Sequence, residues 1–353
     1  MSAPERAFAR IDLGAIEHNC AHLRSLLGEG TELCAVVKAD AYGHGAVWAA
    51  KAALAGGATW LAVATAGEAE DLRRHGITER ILVMGALTPE DERVAREAEA
   101  DVVAWTPDVE GARLHVKLDT GMGRLGTRDF DQAVRLARGD RVVGLMTHFA
   151  TADEPGDDYF PAQLERFREF VDAVGRDDLI VHAANSAATY RDPAAHFDLV
   201  RCGIAIYGMD PFGEDPVERG LEPALSLHSW VAAVRRFGQG ESAGYGRRWA
   251  AREPTWVATV PIGYGDGWRR ALTNNCDVLI RGRRFPLVGA VSMDNLTVDV
   301  GANPDVSVGD EVVLIGRQGN ERIWAEEVAR RLDTINYEIT CGLSPRVRRL
   351  HVR

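Results

Sequence analysis

Cysteine is scarce and scattered. The five present (Cys20, Cys34, Cys202, Cys276 and Cys341) form no CxxC pair and are odd in number. This argues against a disulfide framework and for a reducing compartment. Long apolar runs are missing as well: none approaches the roughly 18 residues that a membrane-crossing helix needs. The start, Met1-Ser2-Ala3-Pro4-Glu5-Arg6, lacks the apolar core of a secretory signal. The expectation is a cytoplasmic protein with no membrane partner. Positive charge is in deficit, with 41 basic against 52 acidic residues and a formal net charge of -11. That balance argues against a nucleic acid or an anionic membrane as partner. There is no internal repeat and no low-complexity segment, and no metal is expected.

What is present is an ordinary globular composition, 46% hydrophobic and 26% charged, spread over 353 residues. That length suits two domains better than one. As far as residue 222 the chain alternates short apolar runs with helical patterns. Strands are read at residues 8–13, 33–37, 60–64, 80–84, 101–105, 114–118, 142–146 and 179–181. Thr88-Pro89-Glu90-Asp91 has the signature of a helix start. About eight strand–helix units over roughly 220 residues favour a (β/α)8 barrel of the TIM type. The unit between Trp105 and Leu114 is cut down to a few residues. From 223 to 353 strand-like runs follow one another, separated by Gly and Asp, with one helix at 325–332. This half reads as a mostly β domain.

Several segments carry candidate chemistry. Leu33-Cys34-Ala35-Val36-Val37-Lys38 is a buried strand that runs out at a lysine, with Gly43 and Gly45 bracketing the turn that follows. A lysine there is ordinarily a solvated strand end. Partial desolvation would instead free its amine as nucleophile or base. Lys117-Leu118-Asp119-Thr120-Gly121-Met122-Gly123-Arg124 ends another strand in a glycine-rich loop. Arg124 is either a solvated turn residue or a fork for a carboxylate. His148 follows the strand at 142–146, where a lone histidine is more often structural. Asn185-Ser186 opens a helix, which suits a simple cap or an anion. Tyr245 sits between glycines, and a phenol with a pKa of about 10 needs help to act as a base at neutral pH.

Taken in order, VVKADAYGHG (36–45), KLDTGMGRLG (117–126), HAANS (182–186), VRCGIAIYG (200–208), AGYGR (243–247), IGYGDG (262–267), VGAVSMD (288–294) and INYE (335–338) resemble the alanine racemase family. The resemblance runs from Ile11 to Arg346. It departs from the family's pattern at Cys202, where proline is usual, and in the shortened segment before Leu114.

The resemblance implies pyridoxal 5′-phosphate as cofactor, bound to Lys38 as a Schiff base. Tyr42, Ser186, the backbone of Gly203 and Ile204, and Tyr337 would attend its phosphate, and His148 would lie against its ring. Arg201 would face the pyridine nitrogen, and since arginine can only donate, the ring would be a weaker electron sink. Arg124 and the Met293 amide would hold the substrate carboxylate, and Tyr264 would stand at the entrance. Lys117 occupies a position that is carbamylated in some members. The expected activity is interconversion of L-alanine and D-alanine by two bases, Lys38 and Tyr245, for peptidoglycan. Tyr245 and Met293 would come from the other subunit of a homodimer.

Three rivals remain: a broad-specificity amino-acid racemase, a fold-related decarboxylase, and a non-catalytic pyridoxal-phosphate carrier. The residues beyond Gly220 argue against the carrier, which lacks a β domain.

Overall fold

Runs such as Leu33-Cys34-Ala35-Val36 and Trp60-Leu61-Ala62-Val63 are apolar on consecutive residues, so strands built from them need cover on both faces. They find it in a (β/α)8 barrel. The computed structural model describes residues 6–109, 111 and 113–353, in two units: Ile16–Glu214 with Gly220–Glu222, and the β-rich remainder with residues 6–15. After β1 (Phe8–Asp12) come the barrel strands β2 (Glu32–Val36), β3 (Trp60–Val63), β4 (Arg80–Val83), β5 (Asp101–Ala104), β6 (Leu114–Lys117), β7 (Val142–Met146), β8 (Ile180–His182) and β9 (Leu199–Cys202). All pair in parallel, in the order β8-β7-β6-β5-β4-β3-β2-β9. Closure between β8 and β9 rests on the Asp198 N–H donating to Val181 O (3.0 Å) and the Arg201 N–H to Ala184 O (2.9 Å). Thr88 caps the helix Pro89–Glu97 as its sequence predicts.

The second unit is one sheet in the order β11-β12-β15-β14-β13-β16-β10-β1-β18, with β17 beside β16. Its strands are β10 (Leu225–Trp230), β11 (Ala233–Phe237), β12 (Thr255–Val260), β13 (Asp277–Ile280), β14 (Arg283–Val288), β15 (Leu296–Gly301), β16 (Glu311–Gln318), β17 (Glu321–Ile323) and β18 (Arg348–Val352). Every pairing is antiparallel except β1 with β18.

Here the structure corrects the chain-order reading, which places residues 8–13 first in the barrel. Strand β1 pairs instead with β10 and β18. Its residues alternate, with Ala9 and Ile11 fully buried between more exposed neighbours. That pattern suits a sheet with one wet face rather than a barrel strand. The eighth barrel strand is β9, which the apolar-run reading passes over because Arg201 interrupts it. The shortened stretch between Trp105 and Leu114 holds no helix among its described residues, and its Glu110 and Ala112 lie outside them. Among the described residues, no helix is long and apolar enough to cross a membrane.

The turn after β2 is unusual in its backbone. Ala39, Asp40, Ala41 and Tyr42 have φ of 53°, 50°, 53° and 55°, a left-handed turn of four non-glycine residues. Each such residue costs about 1–2 kcal/mol, so the surroundings must over-determine it. Glu68 Oε1 accepts from the Ala39 N–H (2.7 Å), while Oε2 accepts from the Ala64 and Thr65 N–H groups (2.8 and 3.1 Å). Asp40 Oδ1 accepts from the Ala46 N–H (2.8 Å). The buried Tyr207 donates its hydroxyl to Val36 O (2.8 Å) and stacks on His44, with ring centroids 4.4 Å apart. Ala39 is exposed, yet Ala39→Val is expected to cost about 1–2 kcal/mol in urea unfolding, because a β-branched side chain resists this φ. A cost under about 0.5 kcal/mol, the usual surface value, would show that the turn is not held left-handed.

Candidate active site

The candidate residues of the first unit gather at the C-terminal ends of the barrel strands, where parallel barrels carry their chemistry. Lys38 leaves β2 through Val37 and is partly exposed, and the left-handed turn fixes its backbone. Lys117 ends β6 and is buried, 4% exposed. Burial, then Arg201 and Arg124, pull its pKa down to about 8. His148, two residues past β7, is held well below the ordinary histidine value by burial first, then by Arg201, Lys117, Arg124 and Lys38. Four cations thus bear on one neutral imidazole.

Asp119 builds the glycine-rich loop that carries Arg124. Its carboxylate accepts from the Gly121 and Gly123 N–H groups (3.1 and 3.0 Å) and from Arg128 Nε (3.0 Å). Burial alone would raise its pKa, but these donors outweigh it and hold the group below the usual range. Arg124 itself stands exposed on the loop. Gln163, buried on the helix Tyr159–Val174, ties this loop to the next: it donates to Thr120 Oγ1 (3.1 Å) and accepts from the Ala150 N–H (2.8 Å).

Beside them Tyr42, Ser186 and Gly203 form a cradle. Ser186 Oγ accepts from the Gly203 and Ala205 N–H groups (3.0 and 3.4 Å), and Ile204 lies between those two. A Cβ at Gly203 would run into the Tyr42 phenol, so glycine is what lets the ring and the backbone meet there. Asn185 is a cap, its Oδ1 accepting from the Ala188 N–H (2.9 Å). The simple helix-cap reading therefore holds for Asn185, while Ser186 turns to the cradle.

Arg201 projects from β9 and is 3% exposed. Its Nη1 donates to His182 Nδ1 (2.8 Å), and its Nη2 to the carbonyls of Thr147 and Ala183 (2.9 Å each) and to His148 Nδ1 (3.3 Å). Burial lowers its pKa to about 10, which still leaves it charged at neutral pH. Motif reading misses Glu68, Gln163 and the role of His182. Nothing in their local spacing marks them, since each acts on a residue far away in sequence.

In the second unit three motifs converge. The Tyr264 N–H donates to Ser292 O (3.0 Å) and the Gly265 N–H to Met293 O (2.9 Å), so residues 263–265 are zipped to 292–293. At Gly263 a Cβ would collide with that backbone, and at Gly289 one would press on Ala243 O, 2.6 Å away. Tyr245 opens a 3₁₀ turn after Gly244 (φ 74°). It is 73% exposed, and Met293 is 53% exposed. Beneath Tyr264, the fully buried Asp266 accepts from the Gly263 N–H (2.9 Å) and pairs with Arg6 and with Arg346 (3.4 Å). Tyr337 lies half-buried in the first turn of the helix Asn336–Cys341.

Comparison with known proteins places these features in context. Residues 11–211 match the family model described as "Alanine racemase, N-terminal domain", and residues 224–351 match "Alanine racemase, C-terminal domain". The chain is 42% identical to alanine racemase 1 of Bacillus subtilis, over 97% of this chain and 92% of that protein. It is also 42% identical to the alanine racemase of Geobacillus stearothermophilus, over 98% and 93%. Among solved structures, the alanine racemase of Bacillus anthracis with bound L-Ala-P superposes with a TM-score of 0.90 at 39% identity, covering 100% of this chain and 96% of that one. The alanine racemase of Streptomyces lavendulae gives a TM-score of 0.93 at 36% identity, covering 100% and 98%.

Proposed function

The chain belongs to the alanine racemase family, and on that premise we propose that it is a pyridoxal 5′-phosphate-dependent isomerase interconverting L-alanine and D-alanine. The observation that carries this reading is the convergence of Lys38, Lys117, Arg124 and Arg201 on His148 beside the Tyr42–Ser186–Gly203 cradle. A mouth so rich in positive charge and amide donors fits a ligand with a phosphate and a carboxylate. Tyr42, Ser186, Gly203 and Ile204 would hold the phosphate, with Tyr337 joined to them by family analogy alone, and His148 would lie against the ring. When bound at Lys38, the cofactor supplies an electron sink for charge developing at the substrate's Cα.

The remaining work falls to side chains. Arg124 and the Met293 N–H orient the carboxylate. Lys38 Nζ, once released, moves the proton on one face of Cα, and Tyr245 Oη moves it on the other; by family analogy Lys38 serves D-alanine and Tyr245 serves L-alanine. Arg201 has no lone pair to accept with, so it offers the ring nitrogen only donors and limits how far charge leaves Cα. Lys117 would take up carbon dioxide as a carbamate, as in some members of the family, which would turn this buried cation into an anion able to orient Arg124. In this reading residues 1–222, less β1, form the cofactor domain, and residues 223–353 carry the second base. The exposure of Tyr245 and Met293 supports a homodimer in which each subunit completes the other's site. The setting is cytoplasmic, and the product supplies peptidoglycan.

The direct test is to incubate each enantiomer of several amino acids in deuterated water. Alanine is expected to reach equal amounts of both enantiomers with deuterium at Cα. Release of carbon dioxide, or no exchange at all, would overturn the assignment. For the shared site, Lys38→Ala and Tyr245→Phe proteins are mixed and allowed to exchange subunits. Recovery of about a quarter of wild-type activity is expected, since half the dimers are mixed and each has one intact site. No recovery, with exchange confirmed, removes the shared site. For Lys117, the amine is protonated below about pH 8 and free above it. At fixed dissolved ¹³CO₂ a carbamate carbon resonance should therefore grow as pH rises from 6 to 9 and vanish in Lys117→Arg. A spectrum without it leaves Lys117 a bare amine.

A further inference from the structure

Barrel interiors are normally filled by layers of branched apolar side chains. This one is crossed by a file of polar groups. Arg201 Nη1 meets His182 Nδ1 at 2.8 Å, His182 Nε2 meets His115 Nδ1 at 2.8 Å, and His115 Nε2 meets Asp101 Oδ2 at 3.1 Å. His182, His115 and Asp101 are each fully buried. Arg201 and His182 lie towards the C-terminal ends of β9 and β8, His115 is second in β6, and Asp101 opens β5. The file therefore runs from the mouth that holds the candidate site towards the opposite end of the barrel. There Arg80 (2.5 Å) and Arg113 close on the Asp101 carboxylate.

The donors of this file can point only one way. Arginine has no acceptor, so His182 must present a bare Nδ1 and carry its hydrogen on Nε2. That hydrogen needs a bare Nδ1 on His115, whose own hydrogen then sits on Nε2 and falls on Asp101. An ionised carboxylate can only accept, so the two ends of the file demand the same direction. Burial holds both imidazoles below the ordinary histidine value, in keeping with two neutral rings.

The neighbouring strand makes room for this arrangement. A Cβ at Gly144 of β7 would strike the His115 ring. Trp60 meets the other side of that ring edge-on at 5.8 Å, under the Arg80 guanidinium, which lies 3.8 Å from the indole centroid. Among the described residues, no carboxylate touches Arg201. A buried cation needs its hydrogens held by fixed acceptors, and the file that orders them ends on Asp101, whose charge Arg80 and Arg113 already meet.

We propose that Asp101 is a positioning residue for the reaction: by accepting from His115 it sets the direction of the hydrogen bonds through His182 and so fixes the Arg201 guanidinium where it would meet the cofactor ring. The functional half of this statement rests on the racemase reading, and the wiring does not. Two measurements keep them separate.

In cofactor-free protein labelled with ¹⁵N-histidine, ring correlations between pH 6 and 8 should show His115 and His182 neutral, each with its hydrogen on Nε2. A hydrogen on Nδ1, or a doubly protonated ring, overturns the wiring whatever the enzyme does. In the loaded enzyme, Asp101→Asn and His115→Phe are each expected to weaken cofactor affinity about tenfold or more, the scale of outer-partner effects on a bound group. Both should also shift the absorbance of the bound cofactor and lower kcat more than they raise KM, and Asp101→Glu should recover part of the loss. His115→Phe leaves Asp101 with both arginines, so it reports on the file even if Asp101→Asn folds poorly. Folded variants with wild-type affinity and spectrum would overturn the proposal, even while deuterium exchange into alanine proceeds.

Discussion

Like charges crowded at one end of a barrel set the terms for the rest of this structure. Lys38, Lys117, Arg124 and Arg201 share a mouth whose walls exclude much of the water that would screen them. Burial and these charges together bring the Lys117 pKa down to about 8 and keep His148 uncharged. Such an arrangement is costly until anions enter it. The cradle of hydroxyls and amides lies at the same end of the barrel, and the file of imidazoles leads from it to Asp101.

Backbone strain is the second constraint. Four left-handed residues in a row, Ala39 to Tyr42, keep the chain just after Lys38 out of the right-handed helix or strand it would otherwise form. The turn persists because Glu68 takes its first N–H, Asp40 ties its end to the following helix, and Tyr207 braces the strand before it. This is how a short loop can be rigid enough to hold the chain that follows Lys38 in one place.

Much of this was legible in the sequence, and what escaped did so for physical reasons. The strand–helix alternation marks the barrel, and the motifs mark most of the residues at its mouth. The left-handed turn is invisible in the sequence, because two of its four residues are alanines, which rarely take positive φ, and tethers come from positions 68 and 207. Strand β9 was missed because an arginine splits its apolar run. Chain order suggests the barrel for strand β1, whereas the alternation of Phe8-Ala9-Arg10-Ile11-Asp12 marks the half-wet sheet it joins. The His182–His115–Asp101 file could not be read at all: its members lie on separate strands, and only barrel closure lines them up.

The pairing of β1 with β10 and β18 has a consequence for how the molecule is made. Residues 8–12 leave the ribosome long before residues 225–230 and 348–352 exist. The barrel has every strand it needs once β9 is synthesised, whereas β1 must wait for β10 for its first partner and for the last strand for its second. An early edge left open through most of translation is a site for wrong partners. Its short length and its alternating Arg10 and Asp12 are the features that keep such an edge soluble while it waits.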